Sequence, residues 1–298
     1  MEHANYDHCK LGLFHDSDPL HKHGHCNQCF RMRRCEGHDS TMKLQCCSRC
    51  STTHYCSKDC QKKHWRAGHK AACTGYKLFR DRAAQLSGNP HAWSELMQWA
   101  GFHHTSIINA TLACYIHNKD EVPDITSKYL LQLSLDYRGG GDPESLPVKK
   151  KFALRGAHFV SKDDPQAAAL YSVVFAARPR AVEMGKMEMG SSNRLWGTGA
   201  YFLMVRFRPP TLSHRDRLVE AAGTDSDSDG VPFWRHFGID RHHAAARLAC
   251  RSPLDQLEEN LVEGRKMKFC CGKVEGLPTC CCGGWTHELV VAGEIAMI

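Results

Sequence analysis

Eight cysteine and histidine residues between positions 26 and 73 have the residue types and the spacing of metal ligands. They form four pairs with the spacings C-x2-C, C-x2-C, C-x3-C and H-x3-C: Cys26 and Cys29, Cys47 and Cys50, Cys56 and Cys60, His69 and Cys73. Zinc takes four thiolate or imidazole ligands at about 2.0 to 2.3 Å, and residues spaced this closely present both side chains to one ion. The four pairs therefore predict two tetrahedral zinc ions per chain.

The chain from Cys47 onward reads CSRCSTTHYCSKDCQKKHWRAGHKAAC and closely resembles the MYND zinc finger. In that family the pairs interleave, the first with the third and the second with the fourth. The resemblance therefore implies one zinc ion held by Cys26, Cys29, Cys56 and Cys60, and another held by Cys47, Cys50, His69 and Cys73. It also implies a small cross-brace module in which metal binding replaces a hydrophobic core that so few residues could not build.

The first ligand pair has a competitor in the sequence. Cys35 and His38 have the spacing C-x2-H and lie closer to Cys47 than Cys29 does, so they could take the same role. We favour Cys26 and Cys29, because the run CNQCF reads like the opening of the family's finger.

A second ambiguity concerns two adjacent cysteines, and two further positions depart from the family pattern. Cys47 is preferred to Cys46 because it gives the run CSRC, which has the spacing seen in the family. His64 stands where the family has an aspartate, and His69 comes one residue later than is commonest. Neither change removes a ligand.

The resemblance further implies a role in protein interaction. In the family, the finger captures short proline-containing peptides in a shallow groove, often within transcriptional assemblies. Gln61 and Trp65 match the glutamine and the tryptophan that border this groove. We therefore expect an adaptor that binds proline-containing segments of partner proteins through Gln61 and Trp65, with transcriptional regulation as its setting. Trp65 is also expected to pack against the zinc module.

The distribution of cysteine favours an intracellular protein with reduced thiols. Ten of the 17 cysteines and ten of the 20 histidines lie in residues 1–76. A secreted disulfide scaffold needs a signal peptide, and the start MEHANYDHCK has no apolar core. No run of about 18 apolar residues predicts a membrane span. We expect a location in the nucleus or the cytoplasm and no membrane partner.

The positive charge of the chain raises nucleic-acid binding as another possible class of function. The formal net charge is +7, and residues 1–76 carry 12 Lys or Arg against 7 Asp or Glu. However, the positive side chains are scattered around the ligands, and the ligand spacing does not fit a C2H2 finger. A solvated basic surface is the favoured interpretation, so nucleic acid is not an expected partner.

The pattern predicts three parts: a flexible histidine-rich arm over residues 1–25, a MYND-type finger over 26–73, and an α+β domain of unknown fold over 77–298. In the finger, Ser57 should cap a helix that runs from Lys58 to about Ala67 and ends at Gly68. Apolar periodicity predicts further helices at 89–100, 105–116 and 253–264. Strands are predicted at 129–138, 152–160, 171–177 and 201–207, the first of them half-buried.

The main alternative is an enzyme, a SET-like protein lysine methyltransferase, because those enzymes often carry a MYND finger. Their Asn-His-Ser-Cys-like run is missing, since Ala110 follows Asn109. A late cysteine cluster keeps the alternative open and could bind a third metal: Cys270, Cys271, Cys280, Cys281 and Cys282. Small buried thiols are the favoured interpretation of that cluster. The chain has no zinc-protease, Rossmann, P-loop or nucleophile-elbow motif, so no catalytic residue is predicted.

Overall fold

The structure is a computed structural model that describes residues 26–29, 44–139, 146–188, 193, 195–207, 230–244 and 252–265. Several sequence predictions fall on residues outside this part of the chain. They concern the arm over residues 1–25, the competing pair Cys35 and His38, and the late cysteine cluster.

The finger begins with a short hairpin and continues into helices. Strand β1 (Gln45–Cys46) pairs antiparallel with β2 (His54–Tyr55). Helix α1 (Lys58–His64) follows, and the Ser57 hydroxyl accepts a 3.2 Å hydrogen bond from the N–H of Cys60, which confirms the predicted cap. A π-helical turn (Trp65–His69) then leads into α2 (Lys70–Ser87).

Gly68 ends the helical stretch that begins at Lys58. Its φ of +137° lies in a region that side-chain-bearing residues rarely adopt, and no atom lies within 4 Å of where a Cβ would be. The prediction that the helix ends at Gly68 is confirmed, and a new helix, α2, starts two residues later. The break redirects the chain, so that His69 becomes buried while Trp65 stays partly exposed.

Helix α2 joins the finger directly to the rest of the protein. It carries the ligand Cys73 in its first turn and then Tyr76 and Phe79, whose rings lie 6.4 and 6.0 Å from the ring of Trp93. Trp93 belongs to α3 (Ala92–Phe102), and its indole N–H donates a 2.9 Å hydrogen bond to the carbonyl of Cys50. The predicted boundary between residues 73 and 77 therefore falls within a continuous helix.

The body is a four-stranded mixed sheet with helices on both faces. Its strands are β3 (Tyr129–Tyr137), β4 (Phe152–Ser161), β5 (Leu195–Arg206) and β6 (Gly230–Asp240), in the spatial order β4-β3-β5-β6. Strands β3 and β5 are parallel, and the other neighbours are antiparallel. A 3-10 turn (Val148–Lys150) precedes β4. A mixed helix and sheet region after the finger confirms the predicted fold class.

One face of the sheet packs against helices from both ends of the body. These helices are α3, α4 (His104–His117) and α8 (Pro253–Glu263). The short helix α5 (Ile125–Lys128) leads into β3, and the short helix α7 (Arg241–Ala244) follows β6. The side chain of Ser252 caps the start of α8, and Gly264 ends this helix with a φ of +62°. The predicted helices at 89–100, 105–116 and 253–264 are thus confirmed, with small shifts at their ends.

The other face packs against α6 (Pro165–Glu188), and two predictions fail there. The predicted strand at 171–177 is wrong, because this segment lies inside α6 and buries Tyr171, Val174 and Arg178 with helical spacing. Strand β3 is also more buried than predicted. Its polar residues Gln132 and Ser134 face α6 rather than water, because the strand is internal to a sheet covered on both sides.

Among the residues that the structure describes, no helix is long and apolar enough to cross a membrane.

Candidate metal centres

The first cluster joins three parts of the finger. Cys26 and Cys29 come from the opening turn, Cys56 follows β2, and Cys60 lies in the first turn of α1. All four sulfur atoms lie within 4.8 Å of one another. The sulfur of Cys56 is 3.6 Å from that of Cys29 and 3.5 Å from that of Cys60.

The second cluster is formed by the tight turn after β1 and the start of α2. It contains Cys47, Cys50, His69 and Cys73, whose ligand atoms also lie within 4.8 Å of one another. The sulfur atoms of Cys47 and Cys73 are 3.9 Å apart, and Nε2 of His69 is 3.8 Å from the sulfur of Cys50. The structure thus brings the eight residues together in the two sets that the resemblance implied.

Both clusters have the dimensions of a tetrahedral zinc site. With zinc–sulfur distances of about 2.3 Å, two ligands of one ion lie about 3.8 Å apart. The measured separations of 3.5 to 3.9 Å match this value. Four thiolates, or three thiolates with one imidazole, are also the ligand sets of structural zinc. The residues present therefore fit two zinc ions.

The electrostatics of the first cluster explain why it needs a cation. Burial alone would raise the pKa of Cys26, but hydrogen bonds from the backbone N–H groups of Cys29, Cys56 and Gln28 lower it to about 6. By contrast, burial and the neighbouring thiols, with Cys60 first, raise the pKa of Cys56 to about 12. The thiols therefore cannot all ionise by themselves, and a divalent cation supplies the compensating charge.

The second cluster shows the same conflict between close thiols. Burial, followed by the charges of Cys50 and Cys47, raises the pKa of Cys73 to about 12. The hydroxyl of Thr53 lies 3.3 Å from the sulfur of Cys50 and 3.1 Å from Nε2 of His69, where it can donate to the thiolate. Such a contact orients a ligand and stabilises its charged form.

The two clusters differ in their exposure. In the second, all four ligand residues are buried, whereas in the first Cys29 is exposed and Cys56 and Cys60 are half-buried. The carbonyl of Cys50 also accepts hydrogen bonds from Trp93 and from the Thr52 hydroxyl, both at 2.9 Å. The second site is therefore enclosed by the body of the protein, and the first faces solvent.

The two histidines of the finger helices have different roles. His69 contributes Nε2 to the second cluster, whereas Nδ1 of His64 lies 2.9 Å from the hydroxyl of Tyr55 and outside both clusters. The two rings stack with their centres 5.2 Å apart. Burial, and then the charge of Arg180, lower the pKa of His64. Cys46 is exposed and takes no part in either cluster.

Gln61 and Trp65 lie one helical turn apart, and both are half-buried. The ring of Trp65 meets the ring of His69 edge-on, with the centres 5.8 Å apart. The guanidinium of Arg49 lies over the same indole, 6.0 Å from its centre. Sequence reasoning counted Arg49 only among the basic side chains scattered around the ligands, and it gave Thr53 and Trp93 no place at the site.

A cross-braced module with two such clusters is a zinc finger, and comparison with known proteins gives its family. Residues 25–73 match the family described as MYND finger. A stretch of 28 residues is 64% identical to mouse (Mus musculus) "Programmed cell death protein 2" and covers 9% of this chain and 8% of that protein. The chain thus matches less than a tenth of that relative's length. No solved structure matches.

The matching segment is a MYND-type zinc finger, a module of protein interaction, and it fits two zinc ions. The predicted family of the finger and the predicted zinc content are thereby confirmed.

Proposed function

We propose that this chain is an adaptor that binds proline-containing segments of partner proteins at Gln61 and Trp65, in nuclear or cytoplasmic assemblies that regulate transcription. The observation that carries the proposal is the placement of Trp65. Its indole is half-buried on the finger and held by the ring of the zinc ligand His69. An aromatic ring held in this way offers a large contact area with little further loss of side-chain freedom.

Gln61 supplies the polar part of the proposed site. Within the described part of the chain, its side-chain amide forms no hydrogen bond, although its backbone N–H is bonded to Ser57. An amide carries both donors and an acceptor, so it can bind the backbone of an extended segment. Because Trp65 is four residues further along, the amide and the indole lie on neighbouring positions of one helical surface.

Proline-containing segments suit such a site for a physical reason. They adopt the extended polyproline II conformation, which has no internal hydrogen bonds and leaves its backbone carbonyls available. Less conformational entropy is lost when such a segment binds than when a flexible one does. An aromatic surface beside a hydrogen-bonding side chain is a recurring way to recognise it.

The test is binding of a proline-peptide array and of labelled peptides selected from it. Trp65→Ala should weaken binding by about 1 to 3 kcal/mol, or roughly 5- to 150-fold, because it removes an aromatic anchor. Gln61→Ala should cost about 0.5 to 1.5 kcal/mol, the typical net value of one hydrogen bond. Gln98→Ala, which changes an exposed glutamine of α3, is the matched control and should bind as the wild type does.

Zinc content must be measured on every variant, because Trp65 also packs against a zinc ligand. The proposal is refuted if no peptide binds above background. It is equally refuted if fully zinc-loaded Gln61→Ala and Trp65→Ala both bind as tightly as the wild type.

A further inference from the structure

The first metal cluster contains sulfur atoms that solvent can reach. Cys29 is exposed, and Cys56 and Cys60 are half-buried, whereas all four ligand residues of the second cluster are buried. Oxidation of cysteine requires contact between the oxidant and a thiolate, so it follows thiolate character and exposure. Zinc binding keeps its cysteine ligands in the thiolate form. Cys29 is therefore the ligand at which a dissolved oxidant first meets a reactive sulfur.

A second thiol lies within reach of Cys29. The sulfur atoms of Cys29 and Cys56 are 3.6 Å apart. Only a small movement of the two side chains is needed to form a disulfide from this separation. A cysteine that is oxidised beside such a partner forms a disulfide with it, and this protects the sulfur from irreversible oxidation. Cys56 is therefore placed to complete a reaction that begins at Cys29.

Hydrogen bonds that do not involve the sulfur atoms hold the two segments together. The backbone N–H of Asn27 donates to the carbonyl of His54 at 2.9 Å, and the backbone N–H of His54 donates to Oδ1 of Asn27 at 2.7 Å. These bonds fasten the opening turn, which carries Cys29, to β2, which directly precedes Cys56. The two sulfur atoms therefore stay near each other even when they no longer share an ion.

We propose that Cys29 and Cys56 form a redox-modification site, at which a peroxide converts the first zinc site into a disulfide and releases its ion while the second site keeps its own. After the reaction, Cys26 and Cys60 are the two thiolates left in the first cluster. Two ligands are too few for a structural zinc site, which takes four. This inference is independent of peptide binding at Gln61 and Trp65.

The reaction takes two steps at the two sulfur atoms. The Cys29 thiolate attacks one oxygen of the peroxide, so an S–O bond forms, the O–O bond breaks and the departing hydroxide takes a proton from solvent. The Cys56 thiolate then attacks the sulfur of the sulfenic acid, so the S–S bond forms, the S–O bond breaks and a second hydroxide is protonated. The two sulfur atoms lose two electrons in all, and hydrogen peroxide is reduced to two water molecules.

The second site is protected from the same reaction. Its four ligand residues are buried, and Trp93 and the Thr52 hydroxyl both donate hydrogen bonds to the Cys50 carbonyl at 2.9 Å. An oxidant reaches these thiols only after a local opening, which has its own free energy. Oxidation therefore alters the opening turn and the first turn of α1, while the second cluster keeps the finger attached to the body. A dithiol reductant and zinc restore the first site, because disulfide formation is reversible.

The experiment treats the whole zinc-loaded chain with hydrogen peroxide and follows zinc release with a low-affinity chromogenic indicator, with untreated protein as the baseline. One equivalent of zinc should be released about 10-fold faster than the second. Isotope-coded alkylation and tryptic mass spectrometry then locate the disulfide, since trypsin cleaves after Arg31 and Arg49, between the two cysteines. A Cys29–Cys56 disulfide should form in step with the first equivalent. Dithiothreitol and added zinc should restore two ions per chain.

Two variants test whether the exposed ligand thiol starts the reaction. Cys29→His replaces this thiol by an imidazole, which is itself a zinc ligand but cannot form a disulfide. This variant should still bind two zinc ions, and peroxide should release the first of them about 10-fold more slowly than in the wild type. Cys46→Ser is the matched control, because Cys46 is exposed but lies outside both clusters. It should release zinc and form the Cys29–Cys56 disulfide as the wild type does.

Several results would overturn the inference. It fails if peroxide releases both ions at one rate, or if the first ion leaves without a Cys29–Cys56 disulfide. It also fails if Cys46→Ser abolishes the release, because the oxidant then acts at a thiol outside the cluster. If Cys29→His does not bind the first ion, the disulfide map of the wild type decides, since a Cys29–Cys56 bond supports the inference and its absence refutes it.

Discussion

A chelator should remove the two zinc ions in two separate kinetic phases, with one equivalent released in each. The first cluster contains the exposed Cys29 and the half-buried Cys56 and Cys60, whereas every ligand of the second cluster is buried. A chelator can therefore reach the first ion directly. It reaches the second only after a local opening of the structure, and local opening has its own free energy.

The contacts around the second cluster give the size of this difference. Opening its turn requires the loss of the hydrogen bond from Trp93 to the Cys50 carbonyl and of the 3.0 Å hydrogen bond from Arg80 to the Arg49 carbonyl. At about 0.5 to 1.5 kcal/mol each, the two bonds together contribute about 1 to 3 kcal/mol. The slow phase should therefore be about 5- to 150-fold slower than the fast one.

Stopped-flow mixing with a chromogenic chelator measures both phases, and variants assign them. Cys29→Ser should remove the fast phase, and Trp93→Phe should accelerate the slow phase by roughly 5-fold while leaving the fast one unchanged. Cys35→Ser is the control and should keep both phases, because Cys26 and Cys29 serve the first ion. A single phase that releases two equivalents would refute the reasoning, as would a fast phase that survives in Cys29→Ser.

Two further predictions concern buried charge. Lys151→Met should lower the free energy of unfolding by about 1.5 to 3 kcal/mol in urea denaturation, because the half-buried carboxylate of Glu95, 2.6 Å away, loses its counter-ion and keeps only hydrogen bonds from Tyr137 and Asn89. The exposed control Lys162→Met should change it by less than about 0.5 kcal/mol. Equal stability of Lys151→Met and wild type would contradict this. Burial lowers the pKa of His103 below 6.5, so the unfolded chain binds a proton that the folded one does not, and stability should fall as the pH drops below 6.5. His103→Gln should flatten that dependence in denaturation curves and the exposed control His158→Gln should not, while an unchanged slope in His103→Gln would exclude this role.

The metal ligands were accessible to sequence reasoning because zinc chemistry is local. Only a few residue types bind zinc, and the spacing of a pair such as Cys47 and Cys50 already determines whether both side chains reach one ion. The residues that surround the ligands could not be predicted from the sequence. Trp93 contacts the turn of Cys50 across 43 positions of sequence, and no pattern in either segment indicates that contact.

In the body, local sequence patterns were not sufficient, so one strand was predicted wrongly and another was missed. The run from Tyr171 to Ala177 is short and apolar, which suits a buried strand as well as a helix, and only its packing against the sheet decides for the helix. Strand β6 went unpredicted, although Val231, Phe233 and Phe237 follow the period of a strand. Pro232 argues against a strand, but it is tolerated there because β6 lies at the edge of the sheet.

The way in which the finger is attached bears directly on its proposed use. Cys73 and Phe79 lie on one helix, and the ring of Trp93 joins the turn of Cys50 to Phe233 of the sheet, with ring centres 6.5 Å apart. The second zinc site is thus part of the body's packing, which fixes the orientation of the finger relative to the sheet. A partner segment that binds at Trp65 would therefore not have to order a loosely linked finger. Because the attachment is rigid, Gln61 and Trp65 can present a fixed surface to a partner even though the finger itself is small.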